Sequence, residues 1–217
     1  MSTRPLSWLV SVLTLAAALP APAAAQTSFD LGPLVAWYRP MGSFEPASIY
    51  STILPGKPSD LSGLAWGVEG RVWFGRRLGV QLQVAEASST IGAINTPAGF
   101  TSGPTPAQVQ FVTAQALYNF YPSPEDARLW LSAGTGVVRH GGVAYDHYGD
   151  PTQMAGVAGF GYAILIGHGL SATVGETTLL YLFDLPMPPG LERNPGSLEH
   201  GFQVDALLHL GLSWGWR

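Results

Sequence analysis

The residues best equipped for chemistry are few. Glu69 and Arg71 stand two apart in an alternating stretch, and in a β-strand that spacing puts both side chains on one face. A carboxylate beside a guanidinium reads first as an ion pair in a structural polar plug, with a conduction path or a catalytic dyad as the alternatives. Asp30 and Asp205 fall in stretches with the same alternation, and Gln81, Gln83 and Gln203 can extend a hydrogen-bonded set around them. The histidines are His140, His147, His168, His200 and His209. Asp146, His147 and Asp150 share one segment close to His140, but their spacing fits no established ligand pattern. Ser197, Glu199 and His200 have the residue types of a hydrolytic triad, although neighbours within one loop seldom take up triad geometry. The glycines of LSAGTGVV (131–138) and GVAGFGYAI (156–164) would suit a phosphate cradle only if a helix followed, and none does. The sequence therefore predicts no catalytic residue, no metal site and no cofactor, and reads the charged set as a buried polar network.

The elements that hold this network follow from composition and periodicity. Of 217 residues only 11% are charged, against roughly 25% in an average soluble domain. Mean hydropathy is +0.20, yet after residue 25 no apolar run approaches the ~20 residues of a membrane helix. The apolar residues are dispersed. Cysteine is absent, which excludes disulfides and thiolate metal sites, and a net charge of −4 without a basic run gives no reason to expect nucleic acid. Residues 1–25 read as a cleaved signal peptide: one arginine, an apolar core from Leu6 to Leu19, and small residues at Ala23 and Ala25. Residues 26–217 form the exported domain.

That domain reads as eight strands, over about 29–40, 62–75, 78–88, 107–121, 128–140, 153–166, 169–183 and 199–216. Many exceed the roughly 5–6 residues usual in globular sheets, and a tilted strand needs about 9–11 to cross a bilayer. Short connections (75–77, 122–127, 167–169) alternate with long ones (about 41–61, 89–106, 141–152, 184–198). This pattern predicts an all-β, antiparallel, up-and-down transmembrane barrel of eight strands with both termini at the short-turn end. The faces agree. Leu64, Trp66, Val68, Val72 and Phe74 oppose Ala65, Gly67, Glu69 and Arg71, and Phe202, Val204, Leu208, Leu210, Leu212, Trp214 and Trp216 oppose Gln203, Asp205, His209 and Gly211. Aromatics gathered at strand ends predict a girdle at the headgroups: Tyr118, Phe120, Tyr121, Trp214 and Trp216 at one rim, and Trp37, Tyr38, Trp66, Tyr181 and Phe202 at the other. The seventh strand is irregular. Its apolar set changes parity from Leu170, Ala172 and Val174 to Leu179, Tyr181 and Phe183, so a bulge at Gly175 is expected, with Glu176 turned into the lumen.

The chain resembles the small eight-stranded outer-membrane barrels of Gram-negative bacteria, the OmpA/OmpX/OmpW-like group, across the whole exported domain. The sharpest match is terminal: His209, Gly211, Trp214 and Trp216 fit the group's assembly signal position by position, although Arg217 follows the last aromatic. The resemblance implies a bacterial outer-membrane location and insertion by the barrel assembly machinery. The partners it implies are outer-membrane lipid and lipopolysaccharide. The function expected is non-enzymatic, with a side-chain-filled lumen and long outer loops making envelope or surface contacts, and with a single copy as the default state. A narrow channel for small solutes stays open as an alternative, as does a lipid A-modifying barrel enzyme, although no His-x-Ser pair of the deacylase type occurs. A soluble lipocalin-like binder is a further alternative, and it would have to bury the aromatic rims.

Overall fold

A computed structural model describes residues 27–41, 62–96, 99–121, 127–142, 152–185 and 199–216. They form eight strands: β1 (Thr27–Pro40), β2 (Gly63–Phe74), β3 (Leu78–Thr96), β4 (Gly99–Asn119), β5 (Ala127–Gly141), β6 (Thr152–Gly167), β7 (Leu170–Leu185) and β8 (Glu199–Trp216). Each pairs antiparallel with its neighbours in sequence, and β8 closes on β1 with Phe29 opposite Trp216 and Leu34 opposite Gly211. Closure leaves no free sheet edge within the barrel wall. Gly75 turns the chain between β2 and β3 with φ +72°, and Gly167, His168 and Gly169 turn it between β6 and β7 with φ of +138°, +51° and +81°. The 122–126 connection lies outside the described residues. These turns define a short-turn end, and the opposite end carries the long connections.

Alternation sets the two faces. Outward residues such as Val68 and Leu210 are 51% and 65% exposed, while the inward Glu69 and Asp205 are 1% and 0% exposed. Outward apolar side chains cover the barrel from Leu31, Leu78 and Trp214 near the short turns to Trp37, Trp66 and Phe202 near the other end. Among the described residues no helix is long and apolar enough to cross a membrane.

The hydrogen-bonded rows climb as they go round. One inward row runs Asp30, Arg71, Gln81, Gln115, Gly134, Val157, Leu179 and Asp205, and returns to β1 at Pro40, ten residues above its start (40 − 30). That offset is the stagger that closing a tilted sheet requires. Two residues in one row can therefore lie far apart in depth.

Two expectations change. The segment 89–106 is no loop: β3 and β4 continue beyond the barrel as a paired ribbon, from Ser89 opposite Ala107 to Thr96 opposite Gly99, with one irregularity between Ile91 and Ala93. Its prolines are tolerable because each strand of the ribbon has a single partner there. The second change concerns Glu176. β7 pairs without interruption through this region, Val174–Glu176 facing Tyr162–Phe160 on one side and Leu210–Leu208 on the other. No bulge exists at Gly175. Glu176 keeps the parity of Val174 and points outward, while Leu179 and Tyr181 point into the lumen, buried at 0% and 3% exposure.

Candidate functional site

The lumen is where the polar residues converge, and it divides into three levels. At the short-turn end β1, β2 and β5 bring Asp30, Trp73, Arg128 and Trp130 together. Trp73 Nε1 donates to Asp30 Oδ2 at 3.2 Å, and Arg128 Nη1 lies 3.5 Å from the same oxygen. The Arg128 guanidinium sits 4.9 Å over the Trp73 ring, and Trp73 meets Trp130 edge to face at 5.8 Å. The Arg71 guanidinium sits over the Trp130 ring, also at 4.9 Å. Cation, ring, ring and cation thus stack across the tube, each cation–π contact worth about 0.5–2 kcal/mol. Glycine makes the space: a Cβ on Gly161, which pairs with Trp130, would stand 2.4 Å from that ring.

The middle level is the ion pair. Arg71 Nη2 donates to Glu69 Oε1 and, at 2.9 Å, to Thr173 Oγ1 on β7. His209 on β8 places Nε2 at 3.9 Å from Glu69 Oε2. Two glycines give these groups room. A Cβ on Gly211 would lie 2.8 Å from Glu69 Oε1, and one on Gly175 would lie 2.8 Å from His209 Nε2. Gly175 therefore serves the histidine ring and not a bulge. Thr177 donates to Gln83 at 3.3 Å and Gln115 to Thr113 at 3.0 Å, and Gln81 is buried at the same face.

The level toward the long connections is mainly apolar. Leu34, Ala65, Ala85, Phe111, Val138, Leu179 and Leu207 pack there around one carboxylate. Asp205 accepts from the Tyr38 hydroxyl at 2.9 Å, from the Tyr181 hydroxyl at 2.7 Å and from Gln203 Nε2. The Tyr181 oxygen lies 3.2 Å from His140 Nε2, and His140 Nδ1 lies 3.2 Å from Gln153. Three donors satisfy a buried carboxylate well. The network ties β1, β5, β6, β7 and β8 together, and both tyrosine hydroxyls are already committed to it.

Of the predicted network every member except Glu176 lies on the lumen face, and those members are divided in space. Glu69, Arg71, Gln81, Gln83, Gln203 and Asp205 are all buried inside. Asp30 belongs to the short-turn rim and Asp205 to the opposite level, separated by roughly 30 Å of strand at ~3.3 Å per residue, because of the stagger. Glu176 is outside. In the girdle Trp37, Trp66, Tyr118, Phe202 and Trp214 are exposed on the outer face, Phe120 and Tyr121 are exposed just past the end of β4, and the backbone of Trp216 pairs with Phe29. Tyr38 and Tyr181 are corrections: both are lumen residues. Trp37 and Tyr38, being adjacent, could never have shared a face. His209 and Gly211 face the lumen. Trp73, Trp130, Arg128 and Thr173 are the members that sequence reasoning missed. Alternation was the signal: Trp73 has the parity of Glu69 and Arg71 on β2, Arg128 and Trp130 that of Ser132 on β5, and Thr173 that of Gly175 on β7. Of the loop candidates, His140 is a buried lumen residue, while 143–151, with Asp146, His147 and Asp150, lies outside the described residues, as does Ser197.

No family model matches this chain, and no curated protein matches its sequence. Solved structures do match its fold. The outer membrane protein OprG from Pseudomonas aeruginosa superposes with a TM-score of 0.56 at 10% identity, over 89% of this chain and 97% of that one. Neisserial surface protein A gives 0.50 at 10% identity, over 87% and 96%. The chain has the fold of the small eight-stranded outer-membrane barrels.

Proposed function

We propose that this outer-membrane barrel is a non-enzymatic scaffold with a plugged lumen, whose contacts are made at its outer end. The observation that carries the reading is the burial of the ion pair and the rings inside the barrel. Glu69 and Arg71 are 1% exposed and Trp73 is 0% exposed, which supports a lumen filled by the ion pair and the paired rings. A solute path would have to break both. The short turns and both strand termini would face the periplasm, and the long connections the outside.

The outer end offers two surfaces. One is a collar above the apolar band: Arg39 and Arg139 are exposed on opposite walls, and Gln110 donates to Glu86 at 3.0 Å beside Trp66. Guanidinium groups at this depth match the phosphates of lipopolysaccharide. The other is the β3–β4 ribbon, where residues 87–109 contain no charged side chain of either sign, which suits neutral surface groups. Replacing Arg39 and Arg139 with serine should reduce the rise in melting temperature that lipopolysaccharide micelles give the refolded barrel. An unchanged rise would refute the collar.

Residues 1–25 act in this reading as the export signal, and His209, Gly211, Trp214 and Trp216 as the signal to the assembly machinery. Trp216→Leu keeps an alternating strand, so refolding in detergent should stay near normal while insertion in cells falls severalfold. Equal insertion would reduce the terminus to a closing strand.

A further inference from the structure

The apolar outer face is not equally tall all the way round the barrel. On β3 the outward residues are apolar only from Leu78 to Val84, and Glu86 and Ser88 come next. On β4, its partner, they run from Tyr118 to Val112, and Gln110 and Gln108 follow. Each run spans six residues (84 − 78 and 118 − 112). On the other side β8 is apolar from Trp214 to Phe202, and β6 carries no charge from Ile166 to Met154. Each of these spans twelve (214 − 202 and 166 − 154). Between them β7 runs from Leu170 to Leu182, with Glu176 opposite Leu208 midway along the wall. Both walls begin at the short turns, where Leu78 pairs with Tyr118 and Leu170 with Trp214. They differ at the top.

The difference is large on the scale of a membrane. At ~3.3 Å per residue and a tilt of about 40°, six residues rise about 15 Å and twelve about 30 Å. The hydrocarbon layer of a bilayer is about 30 Å thick, and outer-membrane barrels offer it a band of about 25 Å. The β6–β8 wall matches that thickness, and the β3–β4 wall reaches about half of it. Above the short wall a polar row crosses four strands: Glu86, Gln110, Arg139 and Thr152. Gln110 donates to Glu86 at 3.0 Å, and Gln110, Arg139 and Thr152 are exposed. In a flat bilayer fitted to the tall wall, Glu86 and Gln110 would stand in hydrocarbon. A bilayer meets a short apolar face by thinning, at less cost than stripping water from a carboxylate.

We propose that this barrel thins the membrane along β3 and β4, where lipid headgroups of the outer leaflet come down to Glu86 and Gln110, while β6–β8 holds the full thickness. The partner of the polar row is therefore the bilayer itself. Headgroups and their water satisfy a carboxylate, an amide and a guanidinium alike, which acyl chains cannot do. The thin strip lies on one side of the barrel only, directly below the ribbon into which β3 and β4 continue.

The chain has no cysteine, so a single cysteine can carry a nitroxide whose depth is read from collisions with oxygen and with a water-soluble nickel chelate. Full barrels carrying V80C, V84C, L208C or L212C are refolded into dimyristoyl phosphatidylcholine vesicles. Val80 and Leu212 each stand two residues above the lower rim (80 − 78 and 214 − 212), and Val84 and Leu208 each six (84 − 78 and 214 − 208). V80C and L212C should report equal depths, which excludes a tilt of the whole barrel. V84C should lie about 10 Å shallower than L208C, because polar residues begin two positions above Val84 but only beyond Phe202 above Leu208. Adding Glu86→Leu and Gln110→Leu extends the short wall without touching the lumen, and should remove most of that difference. Equal depths at V84C and L208C would overturn the proposal, since the bilayer would be flat there. So would a V84C depth indifferent to the two leucines, or a difference of the same size between V80C and L212C.

Discussion

Glu69 on β2 and Glu176 on β7 are the same side chain on the two faces of one closed sheet. Both neighbour His209: Glu69 approaches its ring to 3.9 Å, and Glu176 comes directly after Gly175, the residue paired with it. Glu69 points inward and is met by Arg71. Glu176 points outward and, among the described residues, is met by Thr178 on its own strand. Strand parity, not charge, decides which side of the wall a carboxylate occupies. The surroundings then decide its fate. Inside, the barrel supplies a cation, a histidine and glycines that clear space. Outside, any further partner must come from another molecule.

The largest effect that separates the two carboxylates should come from Arg71→Ala. It strands the buried Glu69 without its cation, which costs about 3–5 kcal/mol, read from guanidinium unfolding of the refolded barrel. Removing both partners with Glu69→Ala as well should restore part of the loss, since no orphaned charge remains. A double variant worse than the single one by the full sum would show that the two do not act as a pair.

Glu176→Leu should move stability the other way, raising it by up to about 2 kcal/mol in the same measurement, because outward charges at mid-membrane destabilise barrels. A loss of stability would mean that the carboxylate is held by contacts within its own barrel. Tyr181→Phe is the subtler change, deleting one of three donors to Asp205 and the contact to His140. About 1–2 kcal/mol should be lost. No loss would mark the upper network as incidental to the fold.

Much of this was legible because alternation is a direct record of a strand with two different sides. The pattern through Leu64–Phe74 and Phe202–Trp214 placed Glu69, Arg71, Gln203 and Asp205 correctly. The misplacement of Glu176 and Tyr181 shares one cause. The rule "polar inside, apolar outside" holds in the middle of this lumen, but its outer level is packed with Leu34, Phe111, Leu179 and Leu207. There apolar residues point both ways, so a change of hydrophobic parity along β7 needs no bulge. The stagger of ten residues is likewise invisible in any one strand, because it is a property of closure. That is why Asp30 and Asp205 read as one cluster. The ribbon of β3 and β4 reads as a loop from its Gly, Pro and Ser, although its pairing continues that of the barrel with one shift between Ile91 and Ala93.

The plugged lumen is tested most directly by conductance of the purified, refolded barrel in planar bilayers. With Glu69–Arg71 and Trp73–Trp130 across the tube, the wild-type protein should give no discrete steps above the bare membrane. Stable, reproducible single-channel steps from the unaltered barrel would contradict it, and would make the lumen a path for solutes instead of a plug.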